Sequence, residues 1–547
     1  MAALSHYVLT IITFLPTAGA LLVLASPRGR DTLYRWLALL FSLATFVLSL
    51  VLWVGFDTTT ADVQFQLRAP WIPALGVNYF VGVDGISLLL VLLTTFLSAL
   101  SILASWRAIS ERVKAFMAAL LMLETGMIGV FVSLDLILFF VFWEAMLIPM
   151  YLLIGIWGHE RRVYATVKFI LYTMFGSALM LVAILGLFFQ QRHVTGAGSF
   201  DLLELRARHI TYTYQLWFFL AFALAFAIKV PLFPFHTWLP DAHVEAPTAG
   251  SVLLAGVLLK MGTYGFVRFC LPLFPEACAL FMPGLAVLAV IGIIYGALVA
   301  LVQPDVKKLV AYSSVSHLGF VVLGIFAFNV QGLQGALLQM VNHGLSTGAL
   351  FLIVGMLYER RHTRLIADYG GLWKQMPLFA AFFMIVVLAA LGLPGLNGFV
   401  GEFLILAGAF LRASAGGLHY AVPVLAALGV LLAAVCFLWM FRRVMHGKLD
   451  KEENRRLSDL SVREALVLLP IVLLIFAIGL YPKPFLVRTE ASVQALVTEM
   501  QQTGAVVGTG FPPARLGAPG GGEPRPYLVP PDTQPASARA PVQPEVP

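Results

Sequence analysis

The sequence predicts an all-α polytopic membrane protein with about 14 transmembrane helices, part of them arranged as two inverted five-helix repeats that contain broken helices. Hydrophobic residues make up 60% of the 547 residues and charged residues only 12%, a balance that soluble domains do not show. Apolar runs of about 20 residues, enough to cross about 30 Å of hydrocarbon as a helix, recur along most of the chain. A soluble globular enzyme is therefore excluded.

Charged residues, prolines and glycines bound these apolar runs and define the expected spans in order. No Lys or Arg precedes the first run, and Arg28, Arg30 and Arg35 follow it, which indicates an uncleaved helix rather than a signal peptide. The expected spans are 7–25, 35–56, 85–105, 114–133, 136–157, 164–190, 215–239, 248–272, 279–302, 306–328, 331–357, 378–411, 418–441 and 465–482.

Basic residues fall mostly on one side of these spans. About two-thirds of the 35 Lys and Arg residues lie in loops that follow odd-numbered spans, and such loops are cytoplasmic by the positive-inside rule. This distribution predicts a multi-pass protein of the bacterial inner (plasma) membrane with both termini in the periplasm. It also accounts for the net charge of +7 without a nucleic-acid partner.

The spans divide the chain into five expected regions. Residues 1–110 form an N-terminal three-helix segment, 111–272 a first repeat of spans 4 to 8, and 273–445 a second, inverted repeat of spans 9 to 13. Residues 446–500 hold the last span and an amphipathic end. Residues 501–547 form a Pro- and Gly-rich tail, which is either a passive extension or a strap ordered by a neighbouring subunit.

The three cysteines, Cys270, Cys278 and Cys436, form no CxxC motif and have no His or Cys partner at metal-ligand spacing. The sequence therefore predicts no iron–sulfur, haem or zinc site and no cofactor in this chain. Cys270 and Cys278 either fill apolar space or pair as a disulfide.

Seven ionisable residues lie inside the expected spans, where each is costly to place. One interpretation is static, with Glu144 and Lys229 as a buried ion pair that fixes helix packing and the histidines bonded to backbone carbonyls. The other is a hydrophilic path for protons, since carboxylates modulate nearby lysines and histidine titrates near physiological pH. The seven are Glu124, Glu144, Lys229, Lys260, His317, His343 and Glu402.

Two spans are interrupted beside an ionisable residue. Pro231 and Pro234 follow Lys229 in the seventh span, and Pro394 precedes Glu402 in the twelfth. A broken helix leaves backbone groups that lipid cannot satisfy, so each break indicates a site lined by protein. The breaks are five spans apart and their helices therefore run in opposite directions, which indicates the inverted repeat.

Four stretches carry a resemblance to a known family: FWEAMLIPMYLLIGIWG, KVPLFPFHTWLPDAHVEAPTAGSVLLAGVLLKMGTYG, QPDVKKLVAYSSVSHLGF and LGLPGLNGFVGEF. They resemble the antiporter-like subunits of respiratory complex I, the proton-translocating NADH:quinone oxidoreductase, and most closely the branch of subunit M and mitochondrial chain 4. The resemblance extends over roughly residues 1–490.

This resemblance implies a 14-helix subunit of the membrane arm, in which half-channels meet at a central lysine. By motif, Glu144 is the acidic residue that modulates Lys229, and Lys260 is the central proton-holding lysine. His317 and His343 are the connecting relay. Glu402 is the residue that exchanges protons with the far side of the membrane.

Some polar residues near these motifs allow two interpretations. His236 and His243 either load protons at the cytoplasmic end of the seventh span or hydrogen-bond the broken helix, with Asp241 as a local partner or cap. Glu124 fits a relay between neighbouring subunits.

Charged residues at span ends are expected to be structural. Asp84 fits a turn or a helix start, and Lys307 and Lys308 are expected to snorkel at the cytoplasmic interface. After the fourteenth span only the Pro-rich segment is expected, so the long lateral helix of the sister subunit L is not.

The resemblance also implies partners and cofactors. The expected partners are other membrane-arm subunits, notably the antiporter-like subunits L and N, and the lipid bilayer. NADH, FMN, iron–sulfur clusters and quinone are expected in other subunits, and this chain is expected to contribute to the enzyme without a redox site. The alternatives are a subunit of a multi-subunit cation/proton antiporter or of a membrane-bound hydrogenase, and a scaffold without conduction, against which the ionisable series argues.

Overall fold

The computed structural model describes residues 2–208 and 210–502. Within this part, 13 helices are long and apolar enough to cross a membrane, which confirms an all-α polytopic membrane protein. Their bounds are Tyr7–Ala25, Asp31–Gly55, Leu88–Ala108, Val113–Val132, Leu136–Trp157, Arg162–Thr195, Tyr212–Lys229, Thr248–Leu273, Pro275–Leu301, Val306–Ile325, Val330–Arg361, Ala421–Met445 and Val462–Leu480.

The expected twelfth span, 378–411, consists of two helices, Pro377–Ala390 and Asn397–Ser414. In the turn between them, Gly392 and Gly395 have φ values of 77° and 92°. Glycine adopts this left-handed backbone without the steric cost that a Cβ imposes. The helix is therefore broken where its glycines and proline predict it.

The seventh span is also broken. The helix Tyr212–Lys229 ends at the prolines, and a separate helix, Trp238–Glu245, follows. The break leaves carbonyl groups without helical partners, and the Trp238 indole donates a hydrogen bond to one of them, that of Ile228, at 2.8 Å. At least this carbonyl beside the break is thus satisfied by a side chain of the protein.

A two-stranded antiparallel hairpin lies between the second and third spans, which an all-α expectation misses. Strands Gln64–Ile72 and Val77–Val83 pair across a turn at Gly76, whose φ is 68°. Alternating exposed and partly buried residues of the first strand explain why this segment pairs as a strand. The segment has too few consecutive apolar residues to be predicted as a transmembrane span.

The helices alternate in direction, as hydrogen bonds between loops demonstrate. At one end of the bundle, here the hairpin end, Leu134 N donates to Phe80 O, which joins the loops after the second and fourth spans. At the opposite end, His159 N donates to Glu245 O, which joins the loops after the fifth and seventh spans.

Other helices lie outside the spans, at Leu202–Arg206, Leu372–Gln375, Glu452–Arg455 and Lys483–Gln502. The helix Lys483–Gln502 follows the last span, in the region expected to hold an amphipathic end, so the chain after that span is not the Pro-rich segment alone. Its buried residues recur every three or four positions, which is the pattern of an amphipathic helix packed along one face. Of the expected tail, 501–547, the first two residues belong to this helix, and residues 503–547 lie outside the described residues.

Burial separates inner helices from outer ones. The eighth and eleventh spans are buried throughout, whereas the first, second and thirteenth expose large apolar side chains. In a membrane protein these exposed apolar faces meet lipid or neighbouring subunits. Ionisable side chains on the inner helices are therefore surrounded by protein and do not contact lipid.

The three cysteines are buried and free. Cys278 Sγ donates to the Cys270 carbonyl oxygen at 3.2 Å instead of pairing with Cys270 Sγ. The apolar-filler interpretation is thereby supported over a disulfide.

A buried ion pair joins the end of the hairpin to the eighth span. Both guanidinium NH groups of Arg268 donate to the Asp84 carboxylate, at 2.5 and 2.7 Å, and Asp84 is 5% exposed. Burial alone raises the pKa of Asp84, but the Arg268 charge outweighs it and holds that pKa below its usual range. Asp84 also accepts the backbone N–H groups of Ile86 and Ser87, so it makes the expected turn in addition to the ion pair.

The variant Asp84→Ala tests this ion pair. Removing one partner leaves the buried Arg268 charge uncompensated, which destabilises by about 3–5 kcal/mol. We expect a clear fall in the thermal stability of the purified complex, whereas Asp57→Ala, at an exposed position of the same connection, serves as the matched control. Equal stability of the two variants would show that Arg268 does not need Asp84.

Candidate proton-transfer site

The central lysine of the site lies on the fully buried eighth span. This helix contains a five-residue π-helical turn, Leu254–Leu258, which ends two residues before Lys260. The wider turn changes the carbonyl pattern, and the Lys260 Nζ donates to the Ala255 carbonyl oxygen. Lys260 is 0% exposed, so its ammonium depends entirely on protein groups.

The second partner of Lys260 is a histidine of the eleventh span. Lys260 Nζ lies 2.6 Å from His343 Nδ1. At this distance one proton lies between the two nitrogens, because an ammonium can donate only to an imidazole nitrogen that carries no proton. Lys260 and His343 thus form a buried pair of bases on two different helices.

Two further residues, one on the tenth span and one on the twelfth, extend this pair. The His343 and His317 rings have centroids 5.8 Å apart. His317 Nδ1 lies 3.1 Å from the Glu402 carboxylate oxygen Oε1. Four of the seven sequence-predicted residues therefore lie in one continuous series, Lys260, His343, His317 and Glu402.

Amide side chains that the sequence analysis did not single out hold the Glu402 end. Gln339 Nε2 donates to Glu402 Oε1 at 3.1 Å, and Asn342 Nδ2 donates to Gln339 Oε1 at 3.2 Å. Asn342 also donates to the backbone oxygen of Asn397, the first residue of the half-helix that bears Glu402, at 2.7 Å. The spacing of Gln339, Asn342 and His343 places them on one helical face, and this polar stripe was a usable signal.

Lys229 lies apart from this series. Its Nζ lies 5.2 and 5.6 Å from the ring centroids of Trp143 and Phe169 and 3.8 Å from Met146 Sδ. Cation–π interactions of this kind stabilise an ammonium without neutralising it. We call these three side chains the aromatic shell of Lys229, counting the methionine with the two rings.

Glu144 makes no ion pair with Lys229 within 4.0 Å among the described residues, which contradicts the static ion-pair interpretation. Glu144 is partly exposed at the surface of the chain, with its Oε1 buried and unbonded. Glu124, on the fourth span, is 0% exposed, and the Ser42 hydroxyl of the second span is its polar neighbour.

His236 and His243 differ in their polar surroundings. Both ring nitrogens of His243 are buried and have no partner within hydrogen-bond distance in residues 2–208 and 210–502, whereas the His236 ring lies beside the Pro234 backbone of the break. The His243 ring instead stacks on Phe351, with centroids 4.5 Å apart, and the His236 ring packs against Tyr295 at 5.1 Å. Both interpretations therefore stay predictions, with His236 beside the backbone of the break and His243 against the eleventh span.

Two further expectations at this end need correction. Asp241 accepts a hydrogen bond from Lys168 Nζ at 2.7 Å and thus pairs with the sixth span rather than with a local histidine. Lys307 does not snorkel, because it is only 6% exposed and its Nζ donates to the Ala246 oxygen at 2.6 Å. The sequence indicates that a lysine lies near a span end but not which way its side chain points.

Two broken helices in a polytopic bundle, with a buried Lys, His and Glu series between them, define the class of antiporter-like membrane proteins. Residues 133–429 match the family model described as NADH:quinone oxidoreductase/Mrp antiporter, TM, and residues 32–130 match NADH-ubiquinone oxidoreductase chain 4, amino terminus.

Two relatives and one solved structure narrow this class. The chain is 48% identical over 491 residues to NADH-quinone oxidoreductase subunit M of Rhodobacter capsulatus, covering 87% of this chain and 93% of the relative. It is 45% identical over 487 residues to NADH-ubiquinone oxidoreductase chain 4 of Marchantia polymorpha, covering 89% and 96%. A chain of respiratory complex I from Thermus thermophilus with bound NADH matches with a TM-score of 0.81 and 35% identity, over 90% of this chain and 99% of that one.

The chain belongs to the NADH-quinone oxidoreductase subunit M family, the membrane subunits that include chain 4. A chain of the Mrp complex from Dietzia also matches, with a TM-score of 0.77 but 20% identity, and this likeness concerns the fold alone.

The variant Gly392→Ala tests the placement of Glu402. A Cβ at Gly392 would lie 2.8 Å from Glu402 Oε2 and would push the carboxylate out of its position. We expect a severalfold loss of NADH-driven quinone reduction in the assembled complex. The control is Gly416→Ala, which has the same φ of 77° and no atom within 4 Å of its Cβ, so it carries the backbone strain alone. Equal losses in both variants would assign the effect to strain and not to Glu402.

Proposed function

We propose that this chain moves protons through Lys260, His343, His317 and Glu402. As a member of its family it is a membrane-arm subunit of the proton-translocating NADH:quinone oxidoreductase. The observation that supports the relay is the 2.6 Å contact between Lys260 Nζ and His343 Nδ1, because two bases that share one proton in a buried site can pass it on.

The first step is proton transfer from Lys260 to His343. The ammonium donates to Nδ1, and a proton that arrives at Nδ1 makes the imidazole a cation unless Nε2 releases its own. His343 Nε2 and His317 Nε2 have no hydrogen-bond partner in the described part of the chain. One ordered water is sufficient to bridge rings 5.8 Å apart, so a proton released at one Nε2 reaches the other.

The last step is transfer from His317 to Glu402. Protonation of His317 at Nε2 releases the Nδ1 proton towards the Glu402 carboxylate, 3.1 Å away. The Gln339 amide donates to the same carboxylate oxygen and holds it in place. Glu402 then exchanges its proton with the far side of the membrane.

Lys229 and Glu144 act on this relay electrostatically. The aromatic shell leaves the Lys229 charge uncompensated by a direct ion pair, so its field extends to neighbouring groups. Glu144, partly exposed at the surface, and Glu124, on an inner helix, are the residues through which a neighbouring subunit influences that field. The expected neighbours are the antiporter-like subunits L and N.

The surroundings follow from the same proposal. The chain lies in the bacterial inner membrane with both termini and the hairpin end in the periplasm, and the opposite end faces the cytoplasm. NADH, FMN, iron–sulfur clusters and quinone are bound by other subunits of the complex. The fold likeness to the Mrp complex gives the antiporter alternative no support beyond the fold.

The variant Lys260→Met tests the relay directly. It preserves the length of the side chain but has no proton to give, so NADH-driven proton uptake into vesicles should be lost, by about 100-fold or more if Lys260 is a positioned proton carrier. Lys483→Met, at an exposed position, is the control. Proton uptake at the wild-type rate, at matched content of complex, would eliminate the relay.

At Glu402 we expect Asp and Lys to be tolerated better than Ala or Gln. Asp and Lys retain an exchangeable proton, whereas Gln reproduces the shape and the hydrogen bonds without one. Quinone reductase activity and proton uptake should therefore rank Asp and Lys above Gln and Ala. Equal activity of all four variants would contradict the role.

A further inference from the structure

A cavity of about 310 Å³ lies at the end of the bundle opposite the hairpin, and no residue of the relay lines it. Its walls come from the start of the sixth span, the helix Trp238–Glu245, the connection between the ninth and tenth spans, and the loop after the eleventh span. A water molecule occupies about 30 Å³, so this cavity has room for a polar group of roughly ten non-hydrogen atoms. It is therefore large enough for a small ligand or for the polar part of a larger one.

Two basic side chains that line the cavity, Arg161 and Lys308, lack an acidic partner. The Arg161 guanidinium lies over the Tyr164 ring, 4.8 Å from its centroid. Neither this guanidinium nor the Lys308 ammonium has a carboxylate oxygen within 4.0 Å among the described residues. A guanidinium binds phosphate through paired hydrogen bonds, and an ammonium binds it as a point charge. The two unpaired groups are therefore suited to hold one phosphate between them.

Acidic side chains of the same cavity limit the charge of its ligand. Four carboxylates line the cavity beside three basic side chains, which disfavours a ligand with several negative charges. Three of these carboxylates have partners, whereas Glu160 is exposed and makes no ion pair in residues 2–208 and 210–502. A phosphate that brings its own ammonium fits this balance, because Glu160 can accept a hydrogen bond from that ammonium. The partnered carboxylates are Asp241 with Lys168 Nζ at 2.7 Å, Asp305 with Arg364 Nε at 3.2 Å, and Glu245 with the backbone N–H of Arg161 at 3.0 Å.

Exposed side chains of the sixth span continue from the cavity onto the outer surface of the bundle. Tyr164, which lines the cavity, is followed three and seven positions later by Val167 and Leu171, and all three are exposed. Residues at this spacing share one helical face. A tyrosine at the end of a membrane span is typical of the level of the lipid headgroups, and apolar side chains beyond it meet acyl chains. A ligand in the cavity is thus in reach of surface that faces lipid.

We propose that this cavity binds the headgroup of an ethanolamine phospholipid of the surrounding bilayer. The phosphate lies between Arg161 and Lys308, the ammonium lies at Glu160, and one acyl chain runs along the exposed face of the sixth span. The bound lipid connects the sixth span and the start of the tenth to the helix that follows the broken seventh span. The site is separate from the relay, and its test does not depend on proton transfer.

The test uses the whole complex in phosphatidylcholine vesicles that contain a phosphatidylethanolamine with a photoactivatable diazirine on one acyl chain. After illumination, mass spectrometry should find this lipid attached to the peptide that contains Val167 and Leu171. The double variant Arg161→Gln, Lys308→Gln should reduce this labelling by about tenfold or more, because a hydrogen bond to a charged group contributes on the order of tenfold in affinity. Labelling of the double variant at the wild-type level would overturn the proposal, and so would the absence of labelling in the wild type.

Two single variants serve as controls. Lys308→Arg keeps a positive charge that binds phosphate and should keep the labelling that Lys308→Gln loses. Arg107→Gln removes an exposed basic side chain from the last turn of the third span, at the same end of the bundle, and should leave the labelling unchanged. If Arg107→Gln reduces labelling as much as the double variant does, the effect is one of general surface charge and the proposal fails.

Competition in the wild-type complex identifies the source of the phosphate and requires no variant to assemble. The quaternary ammonium of phosphatidylcholine has no N–H to donate to Glu160, so replacing part of this lipid by unlabelled phosphatidylethanolamine should reduce labelling severalfold. Inorganic phosphate added to the vesicles should have no effect. Displacement of the probe by inorganic phosphate would show a site for a soluble anion, and stronger competition by phosphatidylglycerol, which has no ammonium, would refute the ethanolamine headgroup.

Discussion

The approach of the eighth and eleventh spans to within one hydrogen bond, between Lys260 and His343, is the contact on which the interior depends. Both helices are buried throughout, so neither nitrogen can exchange its partner for bulk water. Glycines allow the approach: a Cβ at Gly344 would lie 2.9 Å from the Gly256 carbonyl oxygen. Small residues at a helix contact are the usual means of bringing two membrane helices together. Here they also set the distance between two bases.

The broken helices also hold residues of the site in place, at its Glu402 end. In an unbroken helix the backbone satisfies itself, and a side chain at mid-membrane has only side chains to bind. At the twelfth span the break exposes the backbone oxygen of Asn397, which Asn342 of the eleventh span binds while it also donates to Gln339. The amides thus tie the half-helix that bears Glu402 to the helix that bears His343.

Much of the fold follows from the sequence, because hydropathy measures the length of each span and proline and glycine locate the breaks. The continuous series from Lys260 to Glu402 was also accessible, since ionisable residues in apolar helices avoid lipid by facing one another. The sequence does not show which way a side chain points around the helix axis at the end of a span. Lys307 turns inward to the carbonyls of Val244 and Ala246, which follow the broken seventh span, and Glu144 makes no ion pair with Lys229 within 4.0 Å among the described residues. The hairpin was not predicted, because strand pairing depends on two segments together, whereas hydropathy describes each segment separately.

The aromatic shell of Lys229 has an optical consequence. The Trp143 indole lies face-on to the ammonium, and its N–H donates to Ser177 Oγ at 3.2 Å, which fixes its orientation. A charge that appears or disappears at 5.2 Å from the ring changes the energy of the indole's excited state, and the fixed orientation makes the change the same in every molecule. In a background without the other tryptophans, the ultraviolet spectrum of this one residue would report in real time whether Lys229 carries its proton while the complex turns over.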